Sequence, residues 1–171
     1  MLKKEVIKLL NEQINKEFYS AYLYLSMSFY YSDKNLNGFA NWFKVQAQEE
    51  RDHAMLFAEY LMNNSVKVEL TEIKTPTADF EDFPVPLKAA FEHEQYVTES
   101  IHNIYAEAFA VKDFRTMQFL DWFIKEQNEE EKNADELVQK YELFGKDSKG
   151  LYMMDQEMAG RVYNPPSLVL T

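Results

Sequence analysis

Four stretches of helical periodicity in this chain each carry a carboxylate in the middle of the stripe that packing requires to be apolar. At about 100° per residue, Glu17 falls among Val6, Leu10, Ala21 and Tyr24, and Glu50 falls among Phe39, Phe43, Ala47, Ala54, Phe57 and Leu61. Glu94 lies likewise among Leu87, Phe91, Thr98, Ile101 and Tyr105, and Glu130 among Phe119, Phe123, Ala134, Leu137 and Tyr141. A carboxylate is almost never fully buried without a partner. Four that converge in one core repel one another and lose hydration, so positive charge has to sit between them. A bound pair of metal ions is the economical way to supply it, and the stripes therefore predict an all-α bundle built around a metal site.

Composition supports long regular elements: 171 residues contain only 4 Gly and 5 Pro, with 46% hydrophobic. That length reads as one domain spanning 1–171, large enough to bury a substantial core. The 18 basic against 29 acidic residues give a formal charge of -11, which disfavours nucleic acid and anionic membrane as partners and suits cations. Without Cys, disulfides, thiolate zinc sites and cysteine-ligated iron–sulfur clusters are excluded. The opening Met1-Leu2-Lys3-Lys4-Glu5 enters an amphipathic pattern directly and does not read as a secretory leader. No run is long and apolar enough to span a bilayer, and a cytoplasmic location is expected.

Helix-period apolar residues run from about Leu2 to Tyr31, where Ser32-Asp33-Lys34-Asn35 breaks the pattern. A second helix is predicted from about Leu36 to Met62, ended by Asn63-Asn64-Ser65. The stretch from Val66 to Asp82 has no helical period and is too long for a turn between antiparallel neighbours, so it is expected to cross the bundle and set helix three parallel to helix two. Helix three should start near Pro84 or Pro86 and reach about Val111. Asp113 is the expected N-cap of helix four, which runs to Phe144 with Gly145 as a stop. Short, long, short is the connection order of a ferritin-like four-helix bundle. A short fifth helix is expected over 148–159 and a tail over 161–171; Met153, Met154 and Met158 read as packing on that helix.

Residues three apart on a helix lie one above the other, so Glu50 and His53 can offer an oxygen and a nitrogen to one ion. Glu99 and His102 have the same spacing, but Glu99 sits roughly 140° round the helix from Glu94 and is expected in solvent; His93 and His102 are expected at the surface. Specificity comes from Glu50 and His53 joining inward acids of three other helices. Oxygen ligands with one imidazole suit Fe(II), Mn(II) or Zn(II), and an all-carboxylate neighbour suits a harder ion; iron fits both. Glu50 is placed to bridge ions about 4 Å apart. Around it lie Glu49 on helix two and Glu126, Gln127, Glu129 and Glu131 on helix four.

These residues resemble the ferroxidase centre of the ferritin family, in particular the non-haem ferritins of prokaryotes, and the likeness covers helix order, crossover, fifth helix and each ligand in register. The resemblance implies that Glu17, Glu50 and His53 bind a first iron and that Glu50, Glu94 and Glu130 bind a second. It further implies that Gln127 lines the site near the oxidant and that Tyr24 is the tyrosine beside the centre, although Tyr24 equally reads as core filler. Glu49, Glu126 and Glu129, with Glu130, match a third iron site of bacterial members; the same acids also read as a solvated face. Trp122 falls where relatives carry tryptophan. Haem is not implied, because bacterioferritins carry a second Glu-x-x-His on helix four and a Met after the helix-two Glu, where this chain has Gln127-Asn128-Glu129-Glu130 and Arg51. Positions at which animal ferritins place two acids early on helix four fall on Met117 and Leu120. The implied activity is oxidation of Fe(II) to Fe(III) by oxygen or peroxide, with storage as a ferric mineral in a shell of twenty-four subunits. A soluble di-iron oxidase or peroxidase without storage and a redox-inert metal buffer are the alternatives.

Overall fold

The computed structural model describes residues 2–170. Five helices account for the regular structure among them: α1 (Lys4–Asp33), α2 (Asn37–Asn63), α3 (Pro84–Ala110), α4 (Phe114–Phe144) and α5 (Ser148–Met158). Residues 66–70, whose apolar alternation resembles a strand, are extended loop. Local chemistry sets the ends. Asn35, Ser65 and Lys112 adopt left-handed φ of 61°, 58° and 58° just beyond α1, α2 and α3. Pro84 opens α3, where a missing N–H costs nothing. Asp113 caps α4 by accepting from the Thr116 amide at 3.2 Å and the Thr116 hydroxyl at 2.7 Å. Gly145 does end α4, but with φ -77° rather than the left-handed conformation that a glycine stop implies; its missing side chain makes room for the ring of Tyr141.

The path of the crossover follows from its hydrogen bonds to α1. Glu69 donates its amide to Asn11, Asn15 donates to the Glu72 carbonyl, Ser26 donates to the Thr77 carbonyl and Tyr31 donates to the Phe83 carbonyl. The loop thus ascends alongside α1 in the same direction, and α3 begins at the end where α2 began. α2 and α3 run parallel, as the connection lengths predict, with antiparallel hairpins α1–α2 and α3–α4 on either side.

Two apolar clusters fill the bundle. One joins Val6, Leu10, Ile14, Phe57, Leu61, Ile101 and Phe123; the other joins Tyr24, Met27, Tyr31, Phe39, Phe43, Leu87 and Tyr141. Along each helix, the predicted inward acid sits between the two clusters, so the polar layer is sealed above and below by hydrocarbon and stacked aromatic rings.

The fifth helix is held by a contact that also serves α2. Leu36 offers α2 no side-chain cap, and instead Asp155 of α5 accepts from the amides of Gly38 at 2.7 Å and Phe39 at 3.1 Å. Met154 and Met158 pack in the core as expected, whereas Met153 is 63% exposed and does not. The segment after α5 is no free tail: Tyr163 donates to Asp52 at 2.5 Å, Trp122 donates its indole N–H to Ser167 at 3.0 Å, and Leu168 and Leu170 pack on the first cluster.

Because a Cβ at Gly38 would lie 1.6 Å from the Asp155 carbonyl oxygen, Gly38→Ala is expected to push α5 off the N-terminus of α2. The expected cost is about 2 kcal/mol, read by thermal unfolding, with accelerated amide exchange confined to α5 and the first turn of α2. An unchanged exchange pattern would show that α5 is held elsewhere.

Candidate metal centre

Glu17, Glu50, His53, Glu94 and Glu130 are all 5% exposed or less. One ligand-capable atom from each of Glu17, Glu50 and His53 lies within 4.8 Å of the others, and the same holds for Glu50, Glu94 and Glu130. Glu50 belongs to both groups, so two three-residue nests share one carboxylate at mid-bundle. The His53 Nδ1 is 3.7 Å from Glu50 Oε2, an ion-pair distance too long for a hydrogen bond. Both His53 Nδ1 and Glu17 Oε2 are buried without a hydrogen-bond partner. Buried polar atoms are rarely left unpaired, and two facing one nest are suited to a cation.

Amide side chains hold the carboxylates in place. Gln13 donates to Glu17 at 2.8 Å, and Gln46 donates at 2.8 Å to both Glu50 and Glu130, tying α2 to α4. Gln127 donates to Glu94 at 3.1 Å, and the Tyr24 hydroxyl donates to the other Glu94 oxygen. Gln13 is itself oriented from outside the core, since its carbonyl accepts from Ser100 at 2.6 Å and Ser100 accepts from Lys16 at 2.6 Å. Tyr24 is fully buried against Phe43 and the His93 ring. Both residues expected beside the metals, Tyr24 and Gln127, therefore contact Glu94.

Burial, and then the charge of Glu50, pushes Glu17 and Glu94 up to about 8. Burial, followed by Glu94 and Glu50, likewise holds Glu130 well above the carboxylate range. Glu50 goes the other way: burial alone would raise it, but His53 and the Gln46 amide outweigh burial and hold it low. Burial would lower His53, yet Glu50 beside it, with Glu17 and Glu130, pushes it up to about 10. Without metal the layer is one histidine–carboxylate pair surrounded by three acids whose affinity for protons is raised.

The remaining acids line a cavity of about 320 Å³ on the α2–α4 side, together with His53, Trp122 and the tail. Glu126 reaches to 3.9 Å from His53 Nε2 and with Glu130 forms a third ligand-capable group around that ring. Glu49 is partly buried and paired with Arg161 at 2.5 Å, while Glu129 is exposed at the rim. Trp122 packs edge-on against His53.

His102 and Glu99 are exposed as expected, but His93 is not a surface residue: it is half-buried, bonded to Ser20 at 2.7 Å and packed on Tyr19 and Tyr24. Gln13 and Gln46 were legible in principle, since each precedes its acid by four residues on the same face. A larger cleft of about 810 Å³ runs along α1 and the crossover. Its rim of Lys4, Lys8, Lys16 and Lys74 does not suit a cation.

Fold and site together define a helical bundle whose buried carboxylates and histidine form two linked groups able to hold metal. The Ferritin-like domain family matches residues 7–144, and the chain belongs to the ferritin family. It is 43% identical to a bacterial non-heme ferritin of Campylobacter jejuni over 91% of this chain and 93% of that one. It is 35% identical to the bacterial non-heme ferritin of Escherichia coli over 93% and 96%. Among solved structures, a ferritin of Archaeoglobus fulgidus engineered to a closed form superposes with a TM-score of 0.94 at 38% identity, covering 96% of this chain and all 100% of that one. A humanized archaeal ferritin gives 0.95 at 39% identity, covering 96% and 100%.

Since Glu17 and Glu94 rise to about 8 and His53 to about 10, the folded metal-free protein holds more protons than the unfolded chain across that range. Its stability is therefore expected to fall as pH rises from about 5 to about 10, through the raised values of the two carboxyls and then of His53. Zn(II) binding should displace those protons, giving an affinity that climbs over the same interval and a melting temperature raised by the ion. Calorimetry in buffers of different ionisation enthalpy measures the release; an affinity independent of pH between 5 and 8 would rule out these ligands.

Proposed function

We propose that this chain stores iron, oxidising Fe(II) at the paired nest and depositing it as a ferric mineral inside a shell of twenty-four copies. The observation that carries the reading is that two three-residue nests share Glu50. Sharing keeps two ions close enough to act on one oxidant molecule. Two Fe(II) together yield two electrons, enough to take oxygen to hydrogen peroxide or hydrogen peroxide to water.

In this reading Glu17, Glu50 and His53 take the first ion and Glu50, Glu94 and Glu130 the second, exchanging their protons for metal as it arrives. Gln13, Gln46 and Gln127 fix the carboxylate planes. Tyr24 holds Glu94 and is a side chain able to give up a further electron. Glu49, Glu126 and Glu129 offer hard oxygens beside the pair, where a third iron would bind on its way to the mineral. Support for storage comes from family membership and from relatives named as non-heme ferritins at 35–43% identity over almost their whole length. The formal charge of -11 suits the attraction of cations, and no helix is long and apolar enough to cross a membrane.

Glu50→Ala is expected to abolish fast paired oxidation in stopped-flow measurements. It should also lower metal-free stability by about 3 kcal/mol, because it strands the His53 imidazolium. The sequence alone suggests that removing any inward acid relieves crowding. Glu17 lies outside the Glu50–His53 pair and its affinity for protons is raised by burial, so Glu17→Gln should leave metal-free stability at or above wild type while weakening the first ion. Oxidation unchanged in Glu50→Ala would overturn the bridging role. A small oligomer saturating at about two irons per chain would point to a discrete di-iron oxidase.

A further inference from the structure

The acid-lined cavity contains a cation supplied by the protein itself. Arg161, the first residue of the folded-back tail, places its guanidinium 2.5 Å from Glu49 Oε2 and stacks over the Trp42 ring at 4.1 Å. The same guanidinium donates to the Trp42 carbonyl at 3.3 Å, and the Arg161 carbonyl accepts from Asn41 at 3.0 Å. Two contacts besides the ion pair thus hold the side chain where it is, and the Asn41 bond anchors its backbone. Among the described residues, Glu126 has no ion-pair partner but His53, and Glu129 has none. Arg161 is therefore the only strong base that meets these acids.

We infer that Arg161 is a tethered counter-cation that competes with a metal ion for Glu49, so that the folded-back tail sets the affinity of the pocket beside the metal pair. The inference rests on the proposed reading of that pocket. Arg161 and Glu49 are each less than one-fifth exposed, so their attraction is only partly screened. A flat guanidinium stacked on indole is also pre-organised for a carboxylate in a way that an ammonium is not. Arg161 engages one Glu49 oxygen and neutralises the carboxylate, so a metal ion bound through either oxygen meets a second cation already seated there. Metal at Glu49 therefore weakens the hold of Arg161 on the carboxylate and disturbs its stacking on the ring beneath it. Ser167 further along the same segment is bonded to Trp122, so both tryptophans of the chain touch the tail and report its displacement. A tail that competes for the third position keeps the pocket weak at low metal and lets the buried pair fill first.

The test titrates Zn(II) into the metal-free assembled protein, with calorimetry counting ions and tryptophan emission recorded on the same sample. Wild type should bind two ions per chain tightly and then a third more weakly. In a Trp122→Phe background, which removes the indole packed on His53, the remaining Trp42 emission change should accompany the third ion. Arg161→Gln should tighten the third ion about three- to ten-fold, between the strengths of an exposed and a buried pair, without altering the first two. Arg161→Lys should fall between the two. Trp42→Leu, which removes the stacking surface but no charge, should tighten the third ion in the same direction and guards against a tail that merely unfolds. A third-ion affinity unchanged or weakened in Arg161→Gln and in Trp42→Leu, with the first two ions still bound, would overturn the inference while leaving the paired site intact. Loss of the first two ions in wild type would overturn both.

Discussion

Everything in this bundle answers to one electrostatic demand: four carboxylates share a layer with a single imidazole, and hydrocarbon seals the layer on both sides. Glu50 and His53 resolve it for themselves by forming a buried ion pair. In the other three acids burial and the neighbouring charges raise the affinity for protons. Both solutions are costly in a medium that solvates charge poorly, and the cost is offset by apolar clusters that extend along the bundle on either side. The layer is thus a region of stored electrostatic free energy, which cations replacing protons would release.

That energy is useful only if the carboxylates do not rearrange to escape it. Three glutamine amides and one tyrosine hydroxyl prevent escape, each donating to a particular oxygen. Gln46 carries the most consequence, because one amide nitrogen binds Glu50 and Glu130 on different helices and fixes the spacing of α2 and α4. Lys16 acts at a distance, orienting Gln13 through Ser100, so the first nest is aligned by a charge near the surface rather than in the core.

The helices, their order and the inward acids were legible because each is a local or periodic property. A carboxylate at the centre of an apolar stripe is visible at helical spacing, and Asp113 and Pro84 announce their helices. The direction of the crossover was legible from length alone. His93 was misread because its neighbour Ser20 lies 73 residues away on another helix, and no periodicity on α3 reveals that. Arg161 was overlooked for the same reason: Trp42 and Glu49 stand more than a hundred residues earlier, and a tail containing Pro165-Pro166 gives no sign of folding back. Gln13 and Gln46 differ, since their four-residue spacing to Glu17 and Glu50 was readable and carried the information.

The crossover has a consequence for how the molecule assembles. The helices of each hairpin pack more closely on one another than on the opposite hairpin, and contacts near in sequence form fast. Glu17, Glu50 and His53 all belong to the α1–α2 hairpin, so the first nest can take shape before α3 arrives. The second nest joins Glu50 to Glu94 and Glu130 of the α3–α4 hairpin, across the loop closure that the extended strap along α1 must complete. An ion in the second nest would therefore clasp the two hairpins at mid-bundle, adding to the apolar clusters and the Gln46–Glu130 and Tyr24–Glu94 bonds that already join them.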